Sequence, residues 1–203
     1  MTSAADGIVD LYSRRASDFD ADRTKSLFER AWLDAFLAQV PLSGSILDLG
    51  CGSGEPIGRY LIQSGRVVTG VDASPALIAL CRERFIDQSW VVADMRGLDL
   101  AQQFDGLVVW HSAIHLTPED QNGMFAVYRH HVKPGGVLMF TSSSEAGEHV
   151  GEWRGEPLYH GSLSPEAYQD HLTHAGFELL EHRTSDPDCG VATVWLARRL
   201  MRD

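Results

Sequence analysis

The sequence predicts an α/β protein built on a doubly wound, mostly parallel sheet, and three observations carry that expectation. Short apolar runs rich in β-branched residues recur along the chain, each bounded by Gly or Asp, as buried strands are. Between them lie segments whose apolar residues return at helical spacing, and such alternation implies parallel strands joined by crossover helices. The last two apolar runs, 177–184 and 191–198, are joined by Asp186-Pro187-Asp188-Cys189-Gly190, too short for a crossover, so an antiparallel hairpin is expected at one sheet edge.

Taken in order, residues 1–40 read as an N-terminal helical cover. Strands are expected at 45–50 (SILDLG), 67–72 (VVTGVD), 90–94 (WVVAD), 104–111 (FDGLVVWH) and 137–142 (VLMFTS). A helix starts at Ser74-Pro75, with Ala76, Leu77, Leu80 and Phe85 on its apolar face. Another starts at Thr117-Pro118-Glu119-Asp120, where Thr117 caps and the acids suit the helix dipole; Lys133-Pro134-Gly135-Gly136 stops it. A third runs from Ser164-Pro165-Glu166 to Gly176, a left-handed stop. His130, His131, His171 and His174 are expected on solvated helix surfaces. The polar, glycine-spaced segment 145–163 is longer than a simple connection and reads as a lid or substrate loop.

With 203 residues and 22.4 kDa, the chain is expected to form a single domain, 1–203, with no separate substrate-recognition domain. Seventeen Lys and Arg against 28 Asp and Glu give a net charge of −11, which argues against nucleic acid and anionic membranes as partners. Cys51, Cys81 and Cys189 form no disulfide pattern, and neither a secretory signal nor a membrane-spanning run is evident, so a reduced cytoplasmic protein is expected. The sequence is silent on oligomeric state.

Chemistry concentrates in Asp48-Leu49-Gly50-Cys51-Gly52-Ser53-Gly54-Glu55-Pro56, which closes a strand and opens a helix. Glycines there let a ligand approach the backbone, and the helix start offers free N–H groups. A dinucleotide fingerprint would need glycine at position 55, which is Glu55, and a P-loop would need a following lysine. Asp48 instead suits a ligand bearing an amino group. Asp72, ending the next strand, can accept both hydroxyls of a ribose. Asp94 can accept from an exocyclic adenine amine, with Met95 and Ala73 covering the two ring faces. Each acid taken alone reads equally well as a cap for the loop or helix after it; three ending successive strands beside GCGSG favour a nucleoside site.

These residues, with ValAsp at 71–72, AlaAsp at 93–94, PheAsp at 104–105 and LysProGlyGly at 133–136, resemble class I S-adenosylmethionine-dependent methyltransferases of the small-molecule type. The resemblance runs from about residue 40 onward. It implies a Rossmann-like, seven-stranded sheet with the last strand antiparallel, and S-adenosylmethionine as cofactor with S-adenosylhomocysteine as product. It places Gly50, Cys51 and Gly52 along the methionine portion, with Asp48 beneath it. Asp72 takes the ribose, and Asp94 with Met95 the adenine. In the stretch 12–23, it suggests that Tyr12 and Arg15 reach the methionine carboxylate. Glu55-Pro56 departs from the commonest pattern, but only after the glycines.

A sulfonium methyl is already activated, so the protein chiefly aligns the reactants and excludes water. A base is needed only where the acceptor carries a proton. Candidates are His111 and His115 at the end of the fourth strand, in Trp110-His111-Ser112-Ala113-Ile114-His115. The alternatives are that His111 contacts cofactor and His115 packs structurally. The two imidazoles precede the helix and share no helical face, so no metal is expected. Trp153, Arg154, Tyr159 and His160 of segment 145–163 are candidates to line a pocket for a small planar or anionic acceptor. Two rival readings are a nicotinamide-dependent oxidoreductase, which Glu55 disfavours, and a non-catalytic module that binds the same nucleoside cofactor.

Overall fold

The computed structural model describes residues 4–201. Seven strands form one sheet: β1 (Ser45–Leu49), β2 (Val67–Asp72), β3 (Ser89–Val92), β4 (Phe104–Val109), β5 (Val132–Ser142), β8 (Phe177–Asp186) and β9 (Ala192–Arg199). Their order is β3-β2-β1-β4-β5-β9-β8. Pairings from β3 to β5 are parallel, and β9 runs antiparallel to both β5 and β8. The C-terminal hairpin therefore inserts its second strand beside β5 and leaves β8 at the edge. Strand order reverses at β1 and β4, so a crevice opens at their carboxyl ends.

Each strand's alternation loads both faces. Ile46, Val68, Val108, Met139 and Leu196 meet Trp32, Leu33 and Phe36 of α3 (Arg30–Leu37), Leu61 of α4 (Ile57–Gln63) and Ile78 of α5 (Pro75–Arg84). On the opposite face Leu47, Leu107, Leu138, Phe140 and Trp195 meet Met124, Phe125 and Tyr128 of α6 (Pro118–His131) and Leu172 of α7 (Pro165–His174). Ser74, Thr117 and Ser164 cap α5, α6 and α7 through their side-chain oxygens, each followed by proline in the first turn. Gly176 adopts φ +76°, the left-handed stop expected after α7.

Three local expectations are corrected. Lys133-Pro134-Gly135-Gly136 does not separate helix from strand: β5 begins at Val132, and its early pairing with β4 carries a register shift. Segment 145–163 is not a loop but an antiparallel hairpin, β6 (Gly147–Trp153) and β7 (Glu156–Ser162), forming its own two-stranded sheet. His131 is fully buried rather than solvated: its Nδ1–H donates to the Val127 carbonyl, and its Nε2 accepts from the Leu100 amide.

The helical cover comprises α1 (Ile8–Arg14), α2 (Ala16–Asp22) and α3. While α3 packs on the sheet, α1 and α2 form a strap across the carboxyl edge and meet the β6–β7 hairpin there.

Candidate functional site

A cavity of about 390 Å³ opens at the carboxyl ends of β1, β2 and β4, a size suited to a nucleoside-bearing ligand. Its floor is the glycine turn. Gly50, Gly52 and Gly54 all have positive φ, and a Cβ on Gly50 would lie 2.2 Å from the Ser112 Cβ. Position 50 tolerates no side chain, so the backbone there lies open to the cavity. Asp48, Gly50, Cys51, Gly52, Asp72, Ala73, Asp94 and Met95 all line this one cavity.

The acids there differ in electrostatic state. Asp72 braces the turn: its carboxylate accepts the Gly52 amide at 2.9 Å and the Ser74 amide at 2.9 Å. Burial outweighs these bonds and raises its pKa. Asp48 is 3% exposed, and burial, assisted by the nearby Asp72 charge, pushes its carboxyl up to about 7, with Arg23 opposing. A buried carboxyl of this kind favours a cationic group beside it. Asp94 is held below the usual range, because Arg96 and its own turn outweigh the cost of burial.

The chain turns sharply after β4. His111 sits at φ +48°, a strained conformation for a side-chain-bearing residue, and its amide donates to Thr141 Oγ1 at 2.8 Å. His111 and His115 both line the cavity, and burial depresses both imidazoles to about 4. His115 Nδ1 is 2.8 Å from the Tyr159 carbonyl, and its Nε2 is 3.0 Å from the Tyr12 hydroxyl. Tyr12 lines the cavity, and its hydroxyl meets His115 Nε2 there.

Arg15 is not a cavity wall. It lies on the outer side of the strap, paired with Glu156 and Asp18. Trp153 and Arg154 also turn away: the Trp153 indole donates to Asp22, and Arg154 pairs with Asp22 and Asp18. Strand alternation accounts for Tyr159. His160 and Leu158 face the cavity, whereas the Tyr159 side chain between them bonds Glu148 on β6. Of the four hairpin candidates, only His160 lines the cavity.

The cavity also recruits Phe19, Arg23, Trp110 and Leu158, which sequence reasoning did not single out. Arg23 projects from the end of α2 and bonds Glu29, a fully buried acid whose second oxygen has no partner among the described residues. Its only sequence signal is its place at the end of the 12–23 stretch. Trp110 Nε1 is likewise buried without a partner.

The donor set fits S-adenosylmethionine. The glycine turn, the buried carboxyl of Asp48, and Asp72 beside the same turn supply the environment that an ammonium, a sulfonium and a ribose require.

Residues 46–136 match the methyltransferase domain family. Over 118 residues the chain is 36% identical to the malonyl-[acyl-carrier protein] O-methyltransferase of Enterobacter lignolyticus (strain SCF1), covering 56% of this chain and 45% of that protein. It is 33% identical over 125 residues to the trans-aconitate 2-methyltransferase of Escherichia coli (strain K12 / DH10B), covering 59% and 46%. The chain thus spans about half the length of these curated relatives. Among solved structures, the DhpI–SAH complex superposes with a TM-score of 0.76 at 21% identity, covering 99% of this chain and 100% of that one, a likeness of fold. Over residues 46–136, which carry the glycine turn, the chain is similar to the methyltransferase domain family, and its sheet has the fold of solved S-adenosylmethionine-dependent methyltransferases.

Proposed function

We propose that the protein transfers a methyl group from S-adenosylmethionine to a small-molecule acceptor. The observation that carries this reading is the convergence of Asp48, Asp72, Asp94 and the Gly50–Gly52 turn on one cavity at the sheet's switch point. Asp48 would hold the ammonium of the methionine portion, Asp72 the ribose hydroxyls, and Asp94 with Met95 and Ala73 the adenine. Bound there, the cofactor supplies an electrophilic methyl on sulfur. The chain's own residues orient the acceptor, exclude water through strap and hairpin, and keep His111 unprotonated at neutral pH to take a hydrogen bond or a proton.

The relatives named for malonyl-[acyl-carrier protein] and trans-aconitate support a non-nucleic-acid acceptor, in keeping with the net charge of −11. Three free, buried cysteines suit a reducing, cytoplasmic setting. Among the described residues, no helix is long and apolar enough to cross a membrane.

Thermal unfolding with S-adenosylhomocysteine tests the reading. A ligand that binds only the folded chain raises the melting temperature, by about 2.7 kcal/mol of added stability at a hundredfold excess over Kd. Asp72→Asn, which keeps one acceptor for the turn, is expected to lose most of that shift. An unshifted wild-type protein, or a variant identical to it, overturns the assignment.

A further inference from the structure

Hydrogen bonding leaves His115 a single arrangement of protons. The Tyr159 carbonyl on β7 can only accept, so the Nδ1 facing it at 2.8 Å carries the ring hydrogen. Burial keeps the imidazole neutral, and a neutral ring protonated at Nδ1 has a bare lone pair at Nε2. The Tyr12 hydroxyl, 3.0 Å from Nε2, therefore donates its only hydrogen to His115. What Tyr12 presents to the cavity it lines is a phenol oxygen able only to accept. The arrangement is braced by rings: His115 packs 5.4 Å from Tyr12 and 5.0 Å from His160, and Tyr12 stacks on Trp153 at 6.0 Å.

We propose that Tyr12 is a specificity-determining residue, accepting a hydrogen bond from an acceptor that carries an O–H or N–H, and that His115 is a positioning residue acting through it. The proposal rests on the cavity being a methyl-transfer site and names the class of molecule that site takes. The class is a flat ring bearing a hydroxyl or N–H, matched to the aromatic walls Phe19 and Trp110. A carboxylate is disfavoured because it sets its lone pairs against those of Tyr12. The cavity's two arginines are already engaged, Arg23 by Glu29 and Arg96 by Asp94 and Asp120. An oxygen already methylated has no hydrogen to give. His115 thus serves both halves of the cover, holding the strap through Tyr12 and the hairpin through Tyr159.

The test uses the full chain saturated with S-adenosylhomocysteine, with phenol, anisole and benzoate as probes of similar size whose affinities are read from NMR shifts. Phenol is expected to bind about fivefold tighter than either, the worth of one net hydrogen bond. Tyr12→Phe and His115→Leu each erase that preference, and the double variant discriminates no worse than either single one, because the effects run through one bond. His115→Gln, whose amide oxygen can accept from Tyr12, restores part of the preference, which a merely structural histidine would not. The 15N spectrum of wild-type His115 should show the hydrogen on Nδ1. Equal affinity for phenol and anisole, tighter benzoate, no saturable phenol binding, or additive losses in the double variant each overturn the proposal. Failure of S-adenosylhomocysteine to shift the melting temperature strikes the cofactor reading instead, before any probe is added.

Discussion

The floor of the cavity and its cover are made of different materials. The floor is backbone and buried carboxyls: a turn closed against Ser112, braced by Asp72 and set over Asp48. The cover is side chains in pairs. Arg14 and Arg15 meet Glu156, Arg154 meets Asp18 and Asp22, and the Trp153 indole packs against both Tyr12 and Phe19. A packed turn cannot yield without a clash, whereas exposed ion pairs contribute little and exchange readily with water. The floor is thus preformed for a ligand, and the cover is free to part so that one can enter.

Gly50→Ala should separate the two most sharply. Its Cβ would meet Ser112 at 2.2 Å in a left-handed backbone, φ +78°. A cost of roughly 3 kcal/mol is expected, lowering the melting temperature by about 6–12 °C and abolishing the response to S-adenosylhomocysteine. Gly123→Ala on α6, where an added Cβ meets nothing within 4 Å, is the control and should stabilise by up to about 1 kcal/mol. Equal behaviour of the two in thermal scans would remove the distinction between floor and surface.

The same division explains what the sequence made legible. Floor residues are neighbours in the chain or end consecutive strands, so GCGSG, Asp72 and Asp94 announce themselves through local turn chemistry and the βα repeat. The caps Ser74, Thr117 and Ser164 were readable for the same reason. The cover depends on partners 100 residues and more apart, such as Tyr12 with His115 and Arg154 with Asp22. No local pattern records which acid an arginine will find, and so Arg15 and Arg154 read as ligand-facing when they are fasteners. The hairpin was missed because β6 is exposed along most of its length and lacks the apolar alternation that marks a half-buried strand. Arg23 was missed because it stands just after a helix, outside any periodicity.

Asp48→Asn probes the floor's charge. Burial sets its folded pKa at about 7, above the unfolded value of about 3.9, so folding favours the protonated form. That contribution to the stability of the ligand-free protein is complete below about pH 4 and lost as pH rises through about 7. Binding an ammonium requires the ionised form and runs the opposite way, weakening as pH falls below about 7. At pH 8 the variant should therefore melt higher than wild type without ligand, yet bind S-adenosylhomocysteine about 10–100-fold more weakly. At pH 5.5 the two should bind it alike, while roughly half of the difference in stability persists and closes only below about pH 4. Calorimetric titration at both pH values checks this, and a wild-type affinity independent of pH would place the ammonium away from Asp48.

The smallest effect is expected in the cover, at Arg154. It occupies the hairpin turn at φ +52°, where glycine is at ease, and its charge reaches Asp18 and Asp22 on the strap. Arg154→Gly removes the fastener while suiting the backbone, so the melting temperature should hold or rise slightly. Release of S-adenosylhomocysteine, followed by stopped-flow tryptophan fluorescence, should quicken severalfold. Wild-type protein in 1 M salt, where the screening length falls to about 3 Å, should approach the variant's rate, and the variant itself should gain little from salt. Release that is unchanged by either treatment would mean that the ring contacts of Trp153, stacked on Tyr12 and edge-on to Phe19, not charge, hold strap and hairpin together.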